Sequence, residues 1–185
     1  MGFDNMIEKH VLLNRGTQSF EEFDISVSSF FDSKFGFNKT TELTKLGINR
    51  SGRILETMGR ALTAENYGFP PLKDQYITGF KGSKYKNAGL VTYGHSVGGG
   101  LSTASTFYAE PFNFASLEVL TYGQLNALDK EAVKSLDQIA AVTSMQLLGD
   151  PIPYLFLPEK DTELETTTQT SVGWRSYIRC GYYEC

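Results

Sequence analysis

Apolar residues arrive along this chain in two rhythms. Short continuous runs, the mark of strands buried on both faces, occupy residues 9–14 (Lys-His-Val-Leu-Leu-Asn), 88–93, 116–122 (Ser-Leu-Glu-Val-Leu-Thr-Tyr) and 141–148. Between them the spacing changes to threes and fours. Phe20, Phe23, Val27, Phe30 and Phe31 form one helical stripe behind Ser19-Phe20-Glu21-Glu22, a capping box in which hydroxyl and carboxylate bond the orphan amides of a helix start. Ile54, Leu55, Met58, Ala61 and Leu62 form a second, closed by Gly68 and Pro70-Pro71. Val133, Leu136 and Ile139 line a third over 129–140, and small residues over 101–110 form a fourth that Pro111 ends. The segments 32–52 and 79–87 are polar and rich in Gly, Lys, Thr or Asn, and read as irregular connections. Strand and helix alternate, with helical spacers long enough for right-handed crossovers. The pattern predicts an α/β fold with a mainly parallel sheet flanked by helices.

In such a sheet, binding residues gather where strands end at their carboxyl edge. Three predicted strand ends carry polar or glycine-rich runs: Arg15-Gly16-Thr17, Gly94-His95-Ser96 and Gly149-Asp150. The middle one opens Gly94-His95-Ser96-Val97-Gly98, a Gly-x-Ser-x-Gly match. The motif alone is a weak signal. Its context is stronger, because it follows a predicted strand and opens a predicted helix. A serine on so cramped a turn projects alone above the sheet, and Gly94 and Gly98 leave room for it. The helix beginning near Val97 aims amides at any negative charge developing there.

Three separated pieces also match a known family in order: "LLNRGTQS", "VTYGHSVGGGLS" and "LTYGQLNA…QLLGDPIPYLFLP". Together they make the chain resemble the class 3 (fungal-type) lipase-like α/β-hydrolases over roughly residues 9–158, apart from a divergent stretch near 32–86. The resemblance implies a serine hydrolase of lipase or esterase type, with a lipid or small ester as substrate and no cofactor. It implies Ser96 as nucleophile and Asp150 as triad acid, with the amides of Thr17 and Val97 as oxyanion-hole donors. His95 belongs to the elbow, where the family has it packed or bonded locally rather than reacting. The Phe20–Phe31 stripe, with Phe35 and Phe37 beyond it, reads as core packing, with an acyl-chain groove or lid as the alternative.

One part of the pattern is missing. The family's triad histidine follows the acid, and this chain has only His10 and His95. His10 lies at the far end of the strand leading to Thr17, out of reach of the site. Three explanations stay open: a shortened chain whose histidine segment is lost, a hydrolase fold that no longer catalyses, or another base such as Asp150, Glu159, Asp161 or a tail tyrosine. The non-catalytic alternative is an interaction protein, and strands absent from the flanks leave sheet edges through which copies of the chain could pair.

Composition narrows the class. The 185 residues suit one domain, with 17 Lys and Arg against 21 Asp and Glu for a net charge of −4. A mildly acidic chain without basic runs argues against nucleic-acid binding. No apolar run is long enough to span a membrane. The start has no signal-peptide pattern, so the expected location is the cytoplasm. Cys180 and Cys185 lack a neighbouring histidine for a metal site and read as reduced thiols, with a local disulfide in an oxidising compartment as the alternative.

Overall fold

The computed structural model describes residues 1–16, 40–64, 70–82, 87–125, 127–147 and 179–180. Its centre is a six-stranded sheet in the order β1 (Gly2–Asp4), β2 (Lys9–Asn14), β5 (Gly89–His95), β6 (Leu117–Tyr122), β7 (Ala141–Leu147), β8 (Arg179–Cys180). β2, β5, β6, β7 and β8 run parallel, and only β1 is antiparallel, as a hairpin partner of β2. A separate antiparallel pair joins β3 (Thr40–Glu42) to β4 (Arg53–Leu55). The expected parallel α/β architecture is therefore present.

Four helices are described: α1 (Glu56–Thr63), α2 (Leu72–Lys81), α3 (Val97–Ala109) and α4 (Lys130–Asp137). α3 packs across β2, β5 and β6, and the other three pack against α3, so all four lie on one face of the sheet. The reason α3 can sit so close is its sequence, Val-Gly-Gly-Gly-Leu-Ser-Thr-Ala-Ser-Thr. Small side chains let its backbone approach the strands, and its hydroxyls turn inward onto nearby acceptors. Thr103, Ser105 and Thr106 bond carbonyls three or four residues back at 2.8–3.0 Å, and Thr106 meets Thr92 of β5 at 3.1 Å. These buried hydroxyls of α3 are thus satisfied rather than stranded. α4 starts as its sequence implies, with Asp129 accepting the Ala132 amide at 2.8 Å. Leu136 is fully buried, while Val133 and Ile139 are partly buried against the same core.

The structure departs from the sequence pattern in several places. Ile54 and Leu55 lie on β4 rather than on the helix, which begins at Glu56. The 32–52 stretch is not wholly irregular: it holds β3 and a 3-10 turn over Leu43–Leu46 that buries both leucines. α2 occupies residues 72–78, to which the sequence pattern assigns no element, and runs into the 79–87 connector; it buries Tyr76 and Phe80. β1 covers Lys9–Val11 of β2 and β8 covers Gln146–Leu147 of β7, so each flank of the sheet is covered in part. The Ser19–Phe31 helix and its aromatic stripe lie outside the described residues. Among the described residues, no helix is long and apolar enough to cross a membrane. Nor does any cluster of three or more His, Cys, Asp or Glu there suit a metal ion.

Two tyrosines tie the helices to the core. Tyr108 donates to the Leu46 carbonyl at 2.9 Å, and burial pushes its phenol up to about 12. Burial also raises Tyr76, further still, helped by the neighbouring Tyr108. The unfolded chain ionises tyrosine near about 10, whereas the folded chain retains both protons beyond that point. Stability from these groups is then fully present below about pH 10 and is lost as pH climbs through the folded values, with a slope of up to about 1.4 kcal/mol per unit for each proton. Urea titrations at rising alkaline pH are expected to show this decline. Tyr76→Phe should flatten it most; an unchanged slope would contradict the assignment.

Candidate functional site

β5 delivers the serine. Its register pairs Gly94 with Asn14 of β2 on one side and Thr121 of β6 on the other, so the elbow sits mid-sheet at the carboxyl ends of the strands. Ser96 follows at φ 55° and ψ −125°, a conformation that residues with a side chain rarely adopt. Backbone strain of this kind costs about 1–3 kcal/mol and persists only where the surroundings impose it. Here they do. The Ser96 amide donates to the Tyr122 carbonyl at 3.0 Å, and its carbonyl accepts from Gly99 at 2.9 Å. Ser96 stands at the N-cap position of α3, yet its side chain makes no capping bond. The hydroxyl is not used to cap the helix.

The glycines are required by contact. A Cβ on Gly94 would overlap the Gly98 carbonyl and crowd Ser102 Oγ at 2.5 Å. One on Gly98 would overlap the Asn14 carbonyl and lie 2.7 Å from the Arg15 carbonyl carbon. A Cβ on Gly99 would sit 2.5 Å from Gln124 Cβ, and one on Gly16 2.5 Å from the His95 carbonyl oxygen. The tip of β2 therefore runs in direct contact with both arms of the turn. Val97 is the first residue of α3, so its amide has no acceptor within the helix. That leaves a donor beside the serine.

Of the residues singled out from sequence, Gly94, His95, Ser96, Val97 and Gly98 are brought together at this turn. His95 is exposed on the sheet face opposite α3, and its Nδ1 lies 3.3 Å from where a Cβ on Gly16 would stand. Thr17 and Asp150 lie outside the described residues. His10 is buried low on β2, paired with Leu90, between the rings of Phe3 (5.2 Å) and Phe114 (5.6 Å). It belongs to an aromatic cluster far from the elbow.

Other residues of the site carried no local signal. Asn14, at the tip of β2, is bonded by Tyr76 and Ser102 from two different helices. Gln124 is buried against Gly99, and its Oε1 has no partner among the described residues; Thr121 Oγ1 and Ser144 Oγ, side by side on β6 and β7, are likewise unpaired there. Only long-range pairing reveals this polar row. Beside the elbow, on the opposite sheet face, Leu13 is 72% exposed and Tyr122 is 44% exposed. No protein-family model matches the chain, and no curated protein matches it either.

Proposed function

We propose that the protein is a serine hydrolase of lipase or esterase type on an α/β-hydrolase scaffold, acting on carboxylic esters through an acyl-enzyme at Ser96. One observation carries this reading: a serine, not a glycine, occupies the strained φ 55°, ψ −125° turn between β5 and α3, with its hydroxyl free of capping duty. A fold under no functional constraint would place glycine there, since glycine adopts such angles without cost. In this reading Ser96 Oγ attacks the ester carbonyl carbon. The tetrahedral oxyanion is held by the amides of Val97 and Thr17, and its collapse expels the alcohol. Water then attacks the acyl-serine and releases the acid. Asp150 is the candidate acid of the triad. The exposed Leu13 and Tyr122 beside the turn suit an apolar acyl or aryl group.

The test is a fluorophosphonate probe, with short-chain aryl esters as substrates. Wild type is expected to be labelled at Ser96, and Ser96→Gly to lose labelling. The same variant should gain about 1 kcal/mol in urea unfolding, because relief of strain outweighs the added freedom of the unfolded chain. Labelling that survives in Ser96→Gly would remove this serine from the chemistry.

A second reading, a hydrolase-like scaffold that binds a partner without turnover, is favoured by one observation. Neither of the two histidines, His10 and His95, follows the acid in the chain, and His10 is buried among aromatic rings. A stable dimer by light scattering together with no labelling would favour it.

A further inference from the structure

We infer that Asn14 is a positioning residue: its carboxamide clamps the tip of β2 to the first turns of α3 and so sets the spacing of the two oxyanion donors. The inference rests on the serine-hydrolase reading above. Asn14 Nδ2 donates to Ser102 Oγ at 3.0 Å, and Asn14 Oδ1 accepts from the Tyr76 hydroxyl at 2.7 Å. One short side chain thus joins three elements distant in sequence: β2, α2 and α3. Tyr76 is 6% exposed and Ser102 fully buried while Asn14 is half-buried, so both bonds are partly shielded from competing water.

The location gives the clamp its consequence. Arg15 and Gly16 follow Asn14 directly: the backbone of Asn14 and Arg15 fills the space that a side chain on Gly98 would need, and the His95 backbone fills the space that one on Gly16 would need. The Val97 amide stands on one side of this tight backbone contact, and Thr17, the other donor in the hydrolase reading, is the next residue in the chain after Gly16 on the other side. Both must converge on the same oxygen, and a misplacement near 1 Å in such a site costs on the order of 100-fold in rate. Packing alone resists compression of this contact but not separation. The two hydrogen bonds resist separation.

Hydrogen exchange on the full chain reads the clamp directly, and the labelling rate reads its effect. In Asn14→Leu, exchange at the amides of 15–17 and 96–98 is expected to speed about tenfold or more while β6 and α4 stay protected. Labelling at saturating probe should slow about 10- to 100-fold, with the half-saturating probe concentration unchanged. Tyr76→Phe and Ser102→Ala each remove one bond and should give part of both effects; together they serve if Asn14→Leu does not fold. Leu136→Ala, which opens a remote part of the core, separates this from general destabilisation: it should lower stability without selectively loosening those six amides. Exchange at 15–17 and 96–98 that follows global stability alone, as in Leu136→Ala, would overturn the inference. A wild-type chain that the probe never labels would instead defeat the hydrolase reading, and the exchange rates would still decide whether the clamp exists.

Discussion

Ester turnover by the wild-type chain is expected to lie about four to six orders of magnitude below that of a hydrolase with a complete Ser-Asp-His triad, and to rise in proportion to added imidazole. The deficit follows from the proton. A serine hydroxyl becomes an effective nucleophile when an imidazole takes its proton and hands it to the leaving alcohol; losing that member of a triad costs about 10⁴ to 10⁶ in rate, while oxyanion donors and binding retain roughly 10³ over water. This chain has two imidazoles. His10 is locked between Phe3 and Phe114, one 3% exposed residue in an aromatic cluster near the opposite end of β2. His95 adjoins Ser96 but occupies the face away from α3. With neither imidazole serving as base, the serine is expected to lose its proton to hydroxide or to a solute, so labelling should climb steadily with pH. Imidazole at high concentration replaces an internal base inefficiently, because the free solute lacks the large effective concentration of a tethered group. The measurement is the labelling rate against pH and against imidazole, in wild type and in His95→Gln. A plateau near neutral pH that disappears in His95→Gln would make His95 the base and refute the expectation; turnover matching a complete triad with His95 removed would point to a carboxylate or tyrosine base instead.

How far the sequence revealed this architecture depended on whether each signal was local. β2, β5, β6 and β7 announce themselves as continuous apolar runs, a local signal, even though the described helices cover one face of the sheet and Leu13 and Tyr122 on the other are exposed. The elbow is legible for a similar reason: Gly94, Ser96 and Gly98 fall within five residues, and their contacts are short-range consequences of one turn. α2 was hidden because Gly79 and its lysines dilute a stripe of only Leu72, Tyr76 and Phe80, which becomes convincing when Tyr76 and Phe80 are seen buried against the core. β3 is three residues with two threonines, and its pairing with β4 depends on a turn across residues 43–52 that has no repeating pattern. Asn14 was equally opaque. Its partners lie 62 and 88 residues away, and nothing in Leu-Leu-Asn-Arg-Gly-Thr distinguishes a clamp from an ordinary polar strand end.

Gly94→Ala is expected to cost about 3 kcal/mol or more in folding stability. The added Cβ would overlap the Gly98 carbonyl and approach Ser102 Oγ at 2.5 Å. Unlike a crowded side chain, the Gly98 backbone cannot rotate aside. Gly98 is itself pressed on the Asn14 and Arg15 backbone, so relief at one contact tightens the next. Overpacking in an adaptable core costs about 1–3 kcal/mol, and a clash between backbones held from both sides belongs at or above the top of that range. Gly2 supplies the comparison: a Cβ there meets nothing within 4 Å, so Gly2→Ala should change stability by less than about 0.5 kcal/mol. Urea unfolding of the two variants measures the difference. A Gly94→Ala protein as stable as Gly2→Ala would mean that the turn is slack. A slack turn has no cause to hold Ser96 in a strained conformation, and the case for that serine as a nucleophile would fall with it.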